Sequence, residues 1–190
     1  MGYAIAEAAL AAGHDVTLIS GPVNLDPPPC ARFVSILTSD EMYSAVHHHA
    51  RECDILVMCA AVADYKPKRI SATKIKKRSE HFALDLIPTR DILASLPHKD
   101  REFLLVGFAA ETNDIEENAR QKLRAKHCDI IVANDVSSAD SGMESDANEV
   151  TIFLRNGEKE KILRASKKII ARALVKIFSH SREKGLTKKM

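Results

Sequence analysis

The chain is 190 residues long and carries 28 basic and 26 acidic side chains, a formal charge of +2. At roughly 150 residues per domain this is one domain with room for an appendage, and 45% hydrophobic with 28% charged residues excludes a disordered chain. No apolar run reaches the ~18 residues of a membrane-spanning helix, and so small a net charge argues against bulk nucleic-acid binding while allowing local clusters.

Met1 to Leu10 has no basic region and carries Glu7, a poor secretory signal. Tyr3 to Ala12 is Ala-rich and predicts a helix closed by Gly13. Val16 to Ile19 and Phe33 to Leu37 read as short strands, separated by Gly21-Pro22 and the stiff Pro27-Pro28-Pro29. Thr38-Ser39-Asp40-Glu41 is a capping box opening a helix to about Arg51. Asp54 to Ala61 is almost continuously apolar, as in a strand buried on both faces.

A basic loop fills Lys66 to Arg78, then come a weaker strand at Phe82 to Ile87 and a short helix from about Asp91. Phe103 to Ala109 and Asp129 to Ala133 read as buried strands around a helix from Ile115 to Lys126. A polar loop spans Asp135 to Asn148, and Val150 to Leu154 and Lys161 to Leu163 flank Asn156-Gly157, a hairpin signal. Ser166 caps a last helix with Ile169, Ile170, Ala173, Leu174, Ile177 and Phe178 at helical spacing. Residues 1–180 thus form the expected domain and 181–190 a polar tail.

Strands alternating with helices predict an α/β fold, a Rossmann-like, mostly parallel sheet covered by helices on both faces, with an antiparallel hairpin added late. Such folds open on a strand and a Gly-rich turn that meets the first helix's N-terminus, where phosphate binds. Here the first predicted element is already that helix. No G-x-G-x-x-G or G-x-x-x-x-G-K-[ST] passes through the seven glycines. Either the protein binds no nucleotide, or its first strand and loop are missing from this sequence.

In open parallel sheets, ligands lie beyond the carboxyl ends of the strands. Asp64 falls there after the small residues Ala60 to Ala63, as do Glu111-Thr112-Asn113 and Asn134-Asp135. Thr89-Arg90-Asp91 opens a short helix, whose leading N–H groups suit phosphate. The segment from Asp64 to Arg78 holds Lys66, Lys68, Arg69, Lys74, Lys76, Lys77 and Arg78, mobile point charges suited to a polyanion or simply a solvated surface. Lys122 and Lys126 share one helix face. His47-His48-His49 point about 100° apart on a helix and cannot converge on one metal. Cys30, Cys53, Cys59 and Cys128 form no C-x-x-C pair and read as reduced structural thiols of a cytoplasmic protein.

Taken together, Ala60-Ala61-Val62-Ala63-Asp64-Tyr65, Lys74-Ile75-Lys76-Lys77, Gly107-Phe108-Ala109-Ala110-Glu111-Thr112 and Ala133-Asn134-Asp135-Val136 resemble phosphopantothenoylcysteine synthetase. The likeness is closest to the synthetase half of the bacterial bifunctional coenzyme A biosynthesis proteins (the Dfp type), and it spans nearly the whole chain. The resemblance implies a ligase. CTP with Mg²⁺ activates 4'-phosphopantothenate as an acyl-cytidylate, releasing pyrophosphate; cysteine's amine then gives 4'-phosphopantothenoylcysteine and CMP.

By that resemblance Cys59, Ala60 and Asp64 line the nucleotide pocket, and Lys74 contacts the cytosine as the residue most closely tied to activity. Thr89, Arg90, Asp91 and Ile92 meet the phosphates, and Phe108, Lys122 and Lys126 complete the site. A resident metal site is not implied, nor a flavin. The implied partners are the substrates, a second copy in a homodimer, and a decarboxylase domain or protein; nucleic acid and membrane are not among them.

The family also carries, ahead of the position of Met1-Gly2, a strand, a loop with an asparagine acting on the acyl intermediate, and a Ser-Ser-Gly-Lys phosphate segment. Losing one preorganised polar group costs about 10²–10³ in rate, so the expectation is that this chain by itself is inactive or nearly so. The alternatives are a non-catalytic nucleotide-binding or scaffold protein built on the same fold and a basic-loop RNA binder, the latter lacking interleaved aromatics beyond Tyr65.

Overall fold

The computed structural model describes residues 1–76, 81–111, 113–135 and 147–185, with the side chains of Glu111 and Asp135 excepted. Lys77, Arg78, Thr112, Val136 and most of the expected polar loop therefore lie outside the described residues.

Local sequence sets the helix ends. The Ala-rich α1 (Gly2–Ala11) stops at Gly13, whose φ of +86° lets the chain turn back while the His14 N–H donates to the Ala9 carbonyl at 3.0 Å. In α2 (Ser39–His49) the expected capping box forms: Glu41 N–H donates to Thr38 Oγ1 at 3.1 Å, and Thr38 N–H donates to Glu41 Oε2. Asp91 caps the single-turn α3 (Ile92–Ser95) by accepting from Ala94 N–H at 3.0 Å. The long α5 (Lys167–Glu183) starts under Ser166 and continues past a buried Ser181.

The strands form three separate sets. Five make the main sheet in the order β3 (Ile55–Met58), β6 (Leu104–Glu111), β7 (Ile130–Asp135), β8 (Ala147–Leu154) and β9 (Lys159–Ser166). The pairings β3–β6 and β6–β7 are parallel, whereas β7–β8 and β8–β9 are antiparallel. The late hairpin is thus present, turning at Gly157 with φ +96°. Residues alternate between the faces of β6. Leu105 and Ala109 pack in one core with α2, α3 and α4 (Ile115–Ala125), while Leu104 and Val106 pack in another with α1 and α5. Helices cover both faces, the mostly parallel Rossmann-like arrangement expected.

Two features depart from the sequence expectation. β1 (Thr17–Ser20) and β2 (Arg32–Ser35) pair in parallel with each other but form their own two-stranded sheet instead of joining β3. The weaker strand expected at Phe82 to Ile87 shrinks to β5 (Leu86–Pro88), which pairs antiparallel with β4 (Tyr65–Pro67). Phe82 and Leu84 are more than half exposed; with no core to enter and Pro67 and Pro88 removing ladder donors, a longer strand gains nothing.

Candidate functional site

A groove of about 2040 Å³ runs between β1 and β3, lined from the residues that precede the two strands to those that follow their carboxyl ends. Four contacts orient it. At one end, Tyr3 Oη donates to Ser20 Oγ at 3.1 Å, and Gly2, with its backbone N–H, sits against Cys59. At the other, His14 Nε2 lies 3.1 Å from Ser179 Oγ, and Arg182 pairs with Asp54 at 3.1 Å. The first turn of α1, which no side chain caps, therefore meets the carboxyl ends of both β1 and β3. Its leading N–H groups and positive dipole end favour an anion there.

Cys59 and Ala60 leave β3 along this groove, with Ala61, Ala63 and Thr89 beside them. Burial pushes the Cys59 thiol up, partly offset by the amino-terminal charge and the Gly2 N–H. Thr89 ties the exit of β3 to the exit of β5: its hydroxyl donates to the Ala63 carbonyl at 2.6 Å, and its N–H donates to the Asp64 carbonyl at 2.8 Å. The exposed Asp64 thus contributes backbone to this junction, while its side chain remains at the surface.

Beyond Thr89 the wall becomes cationic. The Arg90 guanidinium sits 4.8 Å over the Tyr43 ring of α2. Asp40, near the start of the same helix, pairs with Lys66 of β4; that hydrogen bond and the Lys66 and Arg90 charges hold its carboxyl below the usual range. Burial would raise Asp91, but Lys126, the Ala94 N–H and the Lys122 charge outweigh it and lower the carboxyl. Four cations from β4, the β5–α3 junction and the end of α4 thus face two carboxylates.

The residues singled out from sequence fall into three groups. Cys59, Ala60 and Thr89 line the groove, with Asp64 bonded at its rim. Arg90 and Asp91 follow, Asp91 joined to Lys126 and within the field of Lys122, with Ile92 buried beneath as a core residue. Phe108 and Lys74 stand apart. Phe108 packs on the opposite face of β6, with the α1–α5 core, and Lys74 lies exposed on the segment after β4, outside the groove lining. Sequence reading missed Tyr3, Tyr43 and Asp40. Nothing in their spacing marks them, because each acts through a partner at least 17 residues away.

Among the described residues no three His, Cys, Asp or Glu side chains gather to hold a metal. His47, which burial keeps below its ordinary pKa, meets Ser95 Oγ at 2.9 Å. Nor is any helix among the described residues long and apolar enough to cross a membrane.

Residues 1–181 match the family described as the DNA/pantothenate metabolism flavoprotein C-terminal domain. Over 163 residues the chain is 48% identical to the coenzyme A biosynthesis bifunctional protein CoaBC of Bacillus subtilis, covering 85% of this chain and 40% of that protein. The CoaBC of Escherichia coli K12 is 43% identical over 163 residues, with 84% and 40% covered. The crystal structure of the C-terminal domain of a CoaBC superposes with a TM-score of 0.80 at 36% identity, covering 96% of this chain and 82% of that one. The chain spans about two-fifths of the length of these curated relatives. With nearly its whole length matched in sequence and in fold, it belongs to the DNA/pantothenate metabolism flavoprotein C-terminal domain family.

Proposed function

We propose that the chain carries the ligase chemistry of phosphopantothenoylcysteine synthesis: joining 4'-phosphopantothenate to cysteine through a CTP-derived acyl-cytidylate. The observation carrying this reading is the cationic wall of Lys66, Arg90, Lys122 and Lys126 gathered about Asp40 and Asp91, adjoining the small-residue exit of β3. A triphosphate and a phosphorylated acid bring several negative charges to one place, and separate flexible cations suit both.

In this reading the substrate carboxylate attacks the α-phosphorus of CTP and pyrophosphate leaves. The cysteine amine then attacks the acyl carbonyl and CMP leaves. Lys122 and Lys126 neutralise charge on the phosphates, Thr89 to Asp91 position them at the turn into α3, and Ala60 to Ala63 let the nucleotide approach the backbone. Lys74 reaches the cytosine from the exposed segment after β4. Mg²⁺ enters with CTP as the substrate complex; Asp40 and Asp91, each already bonded to a lysine, are not built as its resident ligands.

A second copy and a decarboxylase domain or protein are the proposed partners, and the cytoplasm the proposed compartment. Tyr65, Ile70, Ile75, Phe82, Leu84 and Leu86, all more than half exposed between the β3 exit and β5, support contact with a second copy. A dimer in light scattering is expected, and a monomer at micromolar concentration counts against it.

Binding is the direct readout of this reading. Titrating with Mg·CTP and Mg·ATP in a calorimeter should show CTP binding more tightly. Lys126→Ala should weaken it about ten- to a hundredfold, as for loss of a charged hydrogen bond. Equal binding of both nucleotides, unchanged in Lys126→Ala and Lys74→Ala, would overturn the reading.

A further inference from the structure

α2 carries two stripes of side chains. Met42 and Val46 enter the core shared with α3 and α4. Asp40, Tyr43 and His47, spaced i, i+3 and i+7, share a second face, and each holds a different piece of the chain. Asp40 pairs with Lys66 of β4. Tyr43 takes the guanidinium of Arg90, at the junction of β5 and α3, 4.8 Å above its ring. The His47 ring lies 4.3 Å from that of Tyr43, tilted by 35°, and its Nε2 meets Ser95 Oγ of α3 at 2.9 Å. The Ser95 hydroxyl donates to the Ile92 carbonyl at 2.7 Å, so its oxygen accepts from His47 and Nε2 carries the proton. Over about 10 Å of helix, this stripe follows the wall from β4 to α3.

The three contacts treat the cations differently. Lys66 and Lys126 are each engaged by a carboxylate, which an incoming anion has to replace. Arg90 is met through the face of its guanidinium, and among the described residues no carboxylate bonds to it. A cation–π contact uses the flat face and leaves the N–H edge free to fork two oxygens of a phosphate. An arginine seated on a ring has also given up much of its rotamer freedom before any anion arrives, so less is lost on binding.

We infer that Tyr43 is a positioning residue of the cationic wall: its ring holds the Arg90 guanidinium ready for a substrate phosphate, while Asp40 and His47 fix β4 and α3 on either side of it. The role deepens the ligase reading and rests on it for the identity of the phosphate. Tyr43 acts only through Arg90. Its hydroxyl has no part in this role, so the ring suffices.

The test titrates the full chain with inorganic tripolyphosphate, then with Mg·CTP and Mg·ATP, in a calorimeter. Tyr43→Leu should weaken tripolyphosphate and Mg·CTP by about three- to tenfold, the range of a partly exposed cation–π contact plus lost preorganisation. Tyr43→Phe should bind within twofold of the unmodified chain. In an Arg90→Gln background, Tyr43→Leu should cost nothing further, because the two changes remove one interaction. A merely structural tyrosine would lower affinity equally in both backgrounds, and that result overturns the proposal. So does unchanged affinity in Tyr43→Leu, loss in Tyr43→Phe as large as in Tyr43→Leu, or no binding of tripolyphosphate by any form. The two readings fail separately. Coupling of Tyr43 to Arg90 with CTP no tighter than ATP removes the ligase reading and leaves the positioning role. Preferential, Lys126-dependent CTP binding that ignores Tyr43 does the reverse.

Discussion

β3 and β7 are nearly interchangeable on paper: Ile55-Leu56-Val57-Met58 and Ile130-Ile131-Val132-Ala133 are both uninterrupted apolar runs. In the fold they differ. Ile130, Ile131 and Val132 are fully buried between β6 and β8, while every residue of β3 is half-buried because only one of its edges is paired. β1 shares the condition of β3. The contrast shows that an apolar run fixes what a strand can bury, whereas its neighbours decide what it does bury. The well-filled half of the sheet holds the fold, and the half bordering the groove carries the candidate site.

The sharpest way to test that division is to damage the filled half. Asp129 is fully buried at the start of β7, bonded to Arg101 and to the Leu105 N–H at 2.8 Å, with Arg155 at 3.4 Å. Asp129→Ala leaves Arg101, itself 3% exposed, as an uncompensated buried charge, and should cost about 3–5 kcal/mol in urea unfolding. Leu104→Ala should follow at about 2–5 kcal/mol, since its side chain is wholly enclosed.

Gly107→Ala is next. A Cβ there falls 2.8 Å from Ile131 Cδ1 and 3.2 Å from Cys128 Sγ, both side chains fully buried in the core, so a loss of about 1–3 kcal/mol is expected. Alkaline pH gives a smaller effect. Burial pushes the Cys53 thiol up to about 11 and Cys128 up to about 12. A raised folded pKa means stability is fully present below the unfolded value of about 8.5 and lost as pH rises towards the folded ones. For the fully enclosed Cys128 alone, stability should therefore fall by about 1–2 kcal/mol between pH 8.5 and 10, and Cys30, the exposed thiol, should alkylate well before Cys128. Leu18→Ala, on half-buried β1, should cost no more than about 1 kcal/mol. If Leu18→Ala costs as much as Leu104→Ala, the division between the two halves is wrong.

Much of the architecture was legible because its signals are local. Thr38 and Glu41 announce a capping box, Asn156-Gly157 a hairpin, Asp91 and Ser166 their helices, and each forms as read. The separation of β1–β2 from β3 was not legible, because hydrophobicity along a strand does not report whether both edges are paired. The short β4–β5 pairing was hidden for a related reason: it joins Tyr65 to Pro88 across a long segment, with no turn signal and a proline in each strand. At the candidate site, spacing alone singled out Thr89 to Asp91 and the basic segment. It was the resemblance that drew in Lys122 and Lys126, and only the fold shows Asp91 held by Lys126 and Arg90 seated on Tyr43.

In the proposed function, nucleotide binds where the β3 exit, the β5–α3 junction and the end of α4 converge. Amide chemical-shift mapping during a Mg·CTP titration tests this most directly. The largest changes should fall at Cys59, Ala60, Thr89 to Ile92, Lys122 and Lys126, saturating together with a single dissociation constant. Changes confined to β8, β9 and the outer face of α5, or none at millimolar nucleotide, would contradict it.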